Sequence, residues 1–356
     1  MKILVGICGI GNGHLNRQTS VIKYLIQKNH QIVVATTDNN IEYFKKNFNK
    51  IDIINISIPW ITCNCNGIDF KDSLKKYVDN KVDQYKSFFE FSINVEKIFL
   101  TKPDLVITDY EPNVAQYSYA VGIPLICMEQ QSKFLFIEEE KIKNFSIVEE
   151  KRRLNYFFPK FEYKIISSFF PIEINDDRIK VVSPIISKLN KKTTKSNNVL
   201  VYFSPYDDSE KYDKILNILS KINNYNFIVY TKLNFPKYLS VKNIVFKKFN
   251  ESFKSDLENA EFLIATSGHQ LISEAISIDV PLYLIPLDTY EQNYNALMVE
   301  KYGLGICAKK ITAEELLHFC SKVDKYSENI MSFKNKYHKK SWEESLEEIL
   351  NKCCKE

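Results

Sequence analysis

Short β-branched runs alternate along most of the chain with longer stretches in which apolar residues recur every three or four positions. The short runs predict strands, because brief apolar runs bounded by turn residues are typical of buried parallel strands. In the first half the predicted strands are Ile3–Cys8, Gln31–Thr36, Asp52–Ile56, Asp104–Asp109 and Pro124–Met128. The intervening segments His14–Lys28 and Asn113–Ala120 have the spacing of helices. The alternation predicts an α/β fold with parallel sheets covered by helices.

A change of pattern divides the chain into two halves. The segment VSPIISKLNKKTTKSNN, from 182 to 198, is polar, rich in Lys and contains Pro184, as is typical of linkers. Strand-like runs then recur at 198–204, Phe227–Thr231, Ile244–Lys247, Phe262–Ala265, Leu282–Ile285 and Gly305–Ala308. We expect an N-terminal domain at 1–187 and a C-terminal domain at 188–356, each doubly wound, with a cleft between them. A terminal helix at about 340–356 could pack back on the N-terminal domain.

Composition narrows the possible partners. The chain of 356 residues is 45% hydrophobic, has no apolar run of the roughly 20 residues that a membrane span needs, and starts without a signal-peptide pattern, so we expect a cytoplasmic protein. The basic, aromatic segment 151–171 could contact the inner face of the membrane, although its second half has the pattern of a buried strand. Only four of the 48 basic residues are Arg, which disfavours a nucleic-acid partner. The eight cysteines form no CxxC pair, and we expect no metal site.

A glycine cluster follows the first predicted strand, in the segment CGIGNGHLNRQ at 8–18. Glycines such as Gly11 and Gly13 allow a positive φ and let a ligand or another backbone approach closely. The spacing is not the G-x-G-x-x-G of dinucleotide-binding loops. His14 would lie in the first turn of a helix, where the positive end of the helix dipole favours a neutral imidazole that can accept a proton. His14 is therefore a candidate general base, and the alternative is a histidine that caps or packs the helix.

An acidic turn follows the fourth predicted strand, in the segment PDLVITDYEP at 103–112. Asp109 and Glu111 fall at the carboxyl edge of the predicted sheet, which is also the edge of His14. A carboxylate there can orient an imidazole, stabilise its protonated form, or act as a base itself. The alternative for Asp109 is a cap on the next helix, because Asp favours such turns.

A second polar cluster lies in the segment FLIATSGHQLISEAISIDVPLYLIPLDTYEQNYNA, at 262–296. An apolar strand leads to three residues at the start of a helix: Thr266, Ser267 and Gly268. Free backbone N–H groups at such a start bind anions, and a diphosphate is the ligand that we expect. Glu274 lies about two turns along this helix, where a carboxylate could bind ribose hydroxyls. Glu291 and Gln292 begin another helix and could bind a sugar ring. The alternative is a further strand–helix crossover without a ligand.

These segments resemble the motifs of a family of bacterial and archaeal GT-B glycosyltransferases, related to the undecaprenyl-linked MurNAc-pentapeptide GlcNAc-transferase and to UDP-glucuronosyltransferases. The first segment is similar to a G-x-G-H-x-x-R loop, and the acidic turn to a D-x-E-P turn. The last segment matches S-G-x-x-x-x-S-E and E/D-Q-x-x-N-A at these positions: Ser267, Gly268, Ser273, Glu274, Glu291, Gln292, Asn295 and Ala296. The resemblance implies a GT-B fold, in which two Rossmann-like domains face each other across a cleft.

The resemblance also implies roles for individual residues. His14 would deprotonate the acceptor hydroxyl, Glu274 would bind ribose, and the Glu291–Gln292 pair would bind the donor sugar. Thr266 stands where the plant-type signature has a phosphate-binding His, and two residues could compensate: Ser204 and His269. Phe249 is the candidate contact for the nucleotide base. The strand after the D-x-E-P turn ends in three candidate acceptor-binding residues: Glu129, Gln130 and Gln131.

From these residues we expect an inverting, metal-independent hexosyltransferase. It would move a sugar from a nucleotide-sugar, most simply a UDP-sugar, to a hydroxyl of a glycan, a glycolipid or a small molecule. The nucleotide-sugar is a co-substrate, and no other cofactor is expected. The alternatives are a nucleotide-sugar hydrolase or epimerase on the same fold, or a non-catalytic nucleotide-sugar sensor.

Overall fold

The computed structural model describes residues 1–56, 63–64, 67–68, 75, 79, 84–138, 142, 146–190, 196–204, 209–248, 252–308 and 311–354. Phe249, the predicted contact for the nucleotide base, lies outside these residues.

The N-terminal half forms a parallel sheet of seven strands. These are β1 (Lys2–Ile7), β2 (Gln31–Thr36), β3 (Asp52–Asn55), β6 (Leu105–Asp109), β7 (Leu125–Glu129), β8 (Tyr163–Ser167) and β9 (Ile179–Val182). Strands β4 (Cys63–Asn64) and β5 (Gly67–Ile68) form a separate antiparallel pair. The spatial order is β3–β2–β1–β6–β7–β8–β9. Because the order reverses beside β1, the carboxyl ends of β1 and β6 border a crevice of the kind where α/β proteins bind ligands.

The C-terminal half repeats this plan with six parallel strands. These are β10 (Asn198–Tyr202), β11 (Asn226–Tyr230), β12 (Ile244–Lys247), β13 (Phe262–Ala265), β14 (Leu282–Leu284) and β15 (Gly305–Cys307). Their order is β12–β11–β10–β13–β14–β15, with the same reversal beside β10. The interior residues of β10 and all residues of β13 are apolar and buried, as in parallel strands covered on both faces.

Helices cover both sheets. In the described part of the chain they are α1 (Asn12–Gln27), α2 (Asp38–Asn47), α3 (Gln84–Phe99), α4 (Pro112–Val121), α5 (Ile147–Phe157), α6 (Ser209–Leu219), α7 (Ser252–Glu258), α8 (His269–Ser277), α9 (Tyr290–Lys301), α10 (Ala313–Cys320), α11 (Val323–Tyr337) and α12 (Trp342–Cys353). Short 3-10 turns occupy Gln131–Leu135 and Pro236–Tyr238. Helix α1 follows β1 and contacts α8 of the other half, so the two halves meet at the starts of these helices.

The final helix crosses from the C-terminal half to the N-terminal sheet. Its apolar residues Trp342, Leu346 and Ile349 lie in the same buried cluster as Ile165 of β8 and Val182 of β9. Helix α12 therefore packs on the N-terminal sheet, as the sequence suggested for a terminal helix. The predicted boundary between 187 and 188 stays a prediction.

The α/β fold class predicted from the sequence is confirmed. Each predicted strand is present, with ends that differ by at most two residues. The buried pattern in the second half of 151–171 is β8, whose last four residues are fully buried. Strand β9 was not predicted, because it has only four residues and carries Lys180 between apolar neighbours.

Candidate active site

A cavity of about 320 Å³ lies where the two halves meet. Its walls come from the loop after β1, the end of β7, the start of α8 after β13 and the start of α9 after β14. These are carboxyl ends of parallel strands, the expected place for a ligand in each sheet. The cavity therefore receives side chains from both predicted motif clusters.

The glycines after β1 allow the loop to turn tightly into α1. A Cβ at position 9 would lie 1.7 Å from Oγ1 of Thr37, so only glycine fits there. Gly11 is the N-cap of α1 and has a φ of 69°, which is costly for other residues. Gly13 packs against Gln270 of the facing helix, with its ideal Cβ position 3.4 Å from Cβ of Gln270. The loop thus brings the start of α1 against the start of α8.

His14 and Asp109 form a buried pair at one wall of the cavity. Nδ1 of His14 donates to Oδ1 of Asp109 at 2.7 Å, and the two residues are 9% and 0% exposed. This partner assigns the proton to Nδ1 and leaves Nε2 as the basic nitrogen. His14 lines the cavity, and the amide nitrogen of Gln131 lies 3.5 Å from its Nε2. The pair has the arrangement of a general base with an orienting carboxylate.

Asp109 is held by further donors that sequence reasoning did not single out. Arg17 forms a fork, with Nε 2.8 Å from Oδ2 and Nη2 2.7 Å from Oδ1. The amide of Gln18 donates to Oδ2 at 2.9 Å. Burial alone would raise the pKa of Asp109, but the charge of Arg17 and the hydrogen bonds from His14 and Arg17 outweigh it and lower the pKa to about 2. Arg17 and His14 are three residues apart on α1, a spacing that could have identified Arg17 as a neighbour.

The catalytic role predicted for Glu111 is not supported by its position. Glu111 is the N-cap of α4, where its carboxylate accepts from the backbone N–H of Val114 at 2.9 Å and from Nδ2 of Asn113 at 2.7 Å. It is not among the residues that line the cavity. Burial raises its pKa to about 7. The sequence left helix capping open as the alternative role of Asp109, but the residue that caps α4 is Glu111.

The three predicted acceptor residues have different surroundings. Glu129 accepts from the backbone N–H of Ser132 at 2.9 Å and does not line the cavity. Gln130 lines the cavity and donates to Oε1 of Glu291 in the other half at 2.7 Å, while its own carbonyl accepts from Lys133. Gln131 lines the cavity beside His14. The structure therefore places Gln130 against a predicted sugar-binding residue, which differs from the acceptor role that we expected.

Lys133 was not predicted and is fully buried beneath this wall. Its ammonium lies 4.7 Å from the centre of the Phe134 ring. Burial lowers its pKa to about 8, although the nearby charges of Glu291 and Glu129 act in the opposite direction. No sequence pattern distinguishes Lys133 from the other 43 lysines.

The start of helix α8 forms the opposite wall. Thr266, Gly268 and His269 line the cavity there, and Ser204 joins them from the end of β10. Gly268 is the N-cap and has no side chain, so the first N–H groups of the helix lie open. His269 is 3% exposed, and neither ring nitrogen has a hydrogen-bond partner among the described residues. Burial holds the pKa of His269 well below its usual value.

Glu274 lies further along α8 and also lines the cavity. It is 9% exposed and accepts hydrogen bonds from Gln270, at 3.2 Å, and from Asn16 of α1. Burial raises its pKa to about 7, against the opposing effect of these hydrogen bonds. A carboxylate in this position can accept hydrogen bonds from vicinal hydroxyls of a ligand.

The predicted sugar-binding pair lies at the start of α9. Glu291 and Gln292 both line the cavity. Oε1 of Gln292 accepts from Oγ of Ser267 at 3.1 Å, which fixes the orientation of its amide group. Nδ2 of Asn295 donates to the carbonyl of Ser267 at 2.9 Å. Ser267 itself does not line the cavity, so the structure gives it a supporting position rather than direct contact.

No group of three or more His, Cys, Asp or Glu side chains among the described residues is arranged to hold a metal ion. None of the helices described for this chain is long and apolar enough to cross a membrane. The metal-free site, the cytoplasmic location and the membrane contact of 151–171 stay predictions.

Comparisons with known proteins agree with this geometry. The model of the family described as Glycosyl transferase family 1 matches residues 1–324. An uncharacterized glycosyltransferase of Methanosarcina mazei is 22% identical over 345 residues, which cover 90% of this chain and 89% of the relative. Arabidopsis thaliana UGT89C1, solved with UDP-L-rhamnose, has a TM-score of 0.71 at 13% identity and covers 99% of each chain. Acinetobacter baumannii MurG has a TM-score of 0.62 at 14% identity, covering 99% of this chain and 100% of that one.

The resemblance noted in the sequence is therefore confirmed at the level of family and fold. Two parallel α/β halves with a cavity between them are the GT-B architecture of these solved structures. The family model spans more than nine tenths of the chain and includes both motif clusters. The chain belongs to glycosyl transferase family 1 and is a glycosyltransferase with the GT-B fold.

Proposed function

We propose that this glycosyltransferase moves a sugar from a UDP-sugar to an acceptor hydroxyl, with inversion at the anomeric carbon and without a metal ion. The observation that carries the proposal is one cavity with two complementary walls. His14, with Asp109 buried behind it, lies in one wall, and the start of α8 with Glu274 and Glu291 forms the other. A base and an anion-binding helix start thus face the same space.

The C-terminal wall suits a nucleotide-sugar. The open N–H groups at Gly268 would stabilise the diphosphate as negative charge develops on it, as helix starts stabilise leaving groups. Glu274 would accept from the ribose hydroxyls. Glu291 would accept from hydroxyls of the sugar, and the amide nitrogen of Gln292 would donate to them. One solved relative supports this donor class, since UGT89C1 of Arabidopsis thaliana was solved with UDP-L-rhamnose.

The N-terminal wall suits deprotonation of an acceptor. Nε2 of His14 would take the proton of the acceptor hydroxyl while the oxygen attacks the anomeric carbon. A new carbon–oxygen bond forms as the bond to the diphosphate breaks, and the electron pair of the broken bond leaves with the diphosphate. Attack from the face opposite the leaving group gives inversion. Asp109 would stabilise the imidazolium that results.

Turnover of a panel of UDP-sugars tests the proposal, measured as UDP release with and without hydroxyl acceptors. We expect release that depends on the acceptor, and His14→Ala should lower kcat by about 10²–10⁴-fold with little change in UDP affinity. The matched control is His318→Ala, because His318 is exposed on α10. Equal turnover without acceptor would indicate a hydrolase instead. A His14→Ala variant with more than about a tenth of wild-type turnover would remove His14 as the base.

A further inference from the structure

Asp109 receives four hydrogen bonds from side chains, and together they occupy both carboxylate oxygens. Oδ1 accepts from Nδ1 of His14 and from Nη2 of Arg17, each at 2.7 Å. Oδ2 accepts from Nε of Arg17 and from the amide of Gln18. All of these groups are buried, and Arg17 is 1% exposed. Protonation of Asp109 would therefore break at least one hydrogen bond to a buried N–H group, which is costly because that group would be left without a partner.

The position of Arg17 relative to His14 is the second observation. Nη2 of Arg17 lies 3.1 Å from Nδ1 of His14, and both nitrogens point at the same oxygen. Both are donors, so Nδ1 keeps its proton directed at Asp109 and cannot turn towards Arg17. The amide of Gln18 also donates to the carbonyl of Met128 at 3.0 Å, which ties this cluster to strand β7.

We propose that Arg17 is a positioning residue that keeps Asp109 ionised and oriented, so that the proton taken from the acceptor stays on His14. Asp109 is then an electrostatic partner and never shares the role of base. This inference rests on the proposed function, because it specifies which group of the pair holds the proton. It assigns a purpose to a buried cation at the cavity wall that has no part in the donor contacts proposed above.

The charges around His14 make the proposal measurable. With a neutral imidazole, Arg17 and Asp109 cancel, and protonation of His14 leaves one net positive charge. Other ionisable groups face this cluster as well: Glu129 at the end of β7, Glu291 from α9, Lys133 from the turn after β7, His269 from α8, and Tyr110, whose ring stacks on His14. Removal of the Arg17 cation should therefore favour the protonated ring. The acidic limb of the pH profile of kcat should move to higher pH by about one unit or more.

Arg17→Met and Arg17→Lys separate charge from geometry. We expect Arg17→Met to lower kcat by about a hundredfold, with KM for the UDP-sugar within twofold, because the imidazole loses its fixed orientation. Lysine keeps the charge but not the fork, so Arg17→Lys should keep the pH limb near its wild-type position and still lose most of kcat. Arg178→Met is the matched control, since Arg178 forms a similar fork to Asp176, with Nη2 2.9 Å from Oδ2, on an exposed surface.

Thermal unfolding and UDP affinity by calorimetry check that each variant folds, and the Lys variant carries the test if the Met variant does not fold. A kcat within threefold of wild type for Arg17→Lys, or an unmoved limb in a folded Arg17→Met, would overturn the inference. The double variant His14→Ala/Arg17→Met should be no slower than His14→Ala, because Arg17 acts only through His14. If His14→Ala keeps full turnover, the proposed base is wrong. If His14→Ala is inactive but Arg17→Met has wild-type kcat and an unmoved pH limb, the base stands and only the role of Arg17 is wrong.

Discussion

The affinity for a UDP-sugar should rise as the pH is raised from 6 to 8, and Glu274 should be the cause. This carboxyl group lines the cavity, is 9% exposed and has its pKa raised by burial to about 7. Only the ionised form can accept hydrogen bonds from both ribose hydroxyls. Binding of the nucleotide therefore competes with the proton that Glu274 carries on the acidic side of its pKa.

The size of the effect follows from the position of the pKa. At pH 6, about one tenth of Glu274 is ionised, so each pH unit below 7 should weaken binding about tenfold, or roughly 1.4 kcal/mol. Above pH 8 the affinity should be constant. At pH 8, Glu274→Gln should weaken binding by about 1.5–3 kcal/mol, the usual contribution of hydrogen bonds to a charged group. The Gln variant should also lose the dependence on pH.

Calorimetry with a UDP-sugar tests this prediction better than calorimetry with UDP, because a terminal phosphate itself titrates near pH 6. The matched control is Glu111→Gln. Burial raises the pKa of Glu111 to about 7 as well, but this group caps α4 and does not line the cavity. The control should keep the wild-type slope. A flat affinity in the wild type, or a slope that survives in Glu274→Gln, would show that Glu274 does not contact the nucleotide.

Three further predictions concern the sugar site, the glycine loop and the stability of the fold. Gln292→Ala should raise KM for the UDP-sugar and leave UDP affinity nearly unchanged in calorimetry; equal losses for both ligands would contradict its assignment to the sugar. Gly11→Ala should lower the free energy of unfolding in urea by about 1–2 kcal/mol, because φ is 69°. Gly268→Ala should be nearly neutral, because φ is −66° and Gly268 has open space for a Cβ, with none of the other described residues within 4 Å of its ideal position. Because the pKa of Glu111 is raised, its contribution to folding stability should fall as the pH rises from about 4.5 to about 7. Glu111→Gln should reduce that fall by up to about 3 kcal/mol, measured by urea unfolding at each pH. The same pH dependence of unfolding in the variant and the wild type would contradict the raised pKa.

Much of the site could be predicted because parallel sheets bring the carboxyl ends of their strands to one edge. Strands β1 and β6 pair in register with Ile7 opposite Asp109, so the residues that follow β1 must lie beside Asp109. His14 is in the first turn of the helix that follows, which explains how two residues 95 positions apart form one pair. The helix start at Gly268 follows from the same rule applied to β13.

The contacts between the two halves could not be predicted in this way. Gln130 ends an N-terminal strand, and its sequence context indicates an acceptor role, yet its amide contacts Glu291 across 161 positions of sequence. Asn16 and Glu274 form a similar contact between α1 and α8. Each depends on how one sheet is placed relative to the other, and hydrophobic periodicity within a segment contains no information about that placement.

The turn after β6 shows how backbone geometry separates two carboxylates of similar appearance in the sequence. Asp109 is the last residue of the strand, and its side chain meets His14 and Arg17. Tyr110 then adopts a left-handed φ of 54°, an uncommon conformation for a residue with a side chain. After that change of direction Glu111 can cap α4 at Val114. One carboxylate has its pKa lowered to about 2 and the other has its pKa raised to about 7. Two acids within three residues are thus an orienting anion and a helix cap because the backbone reverses between them.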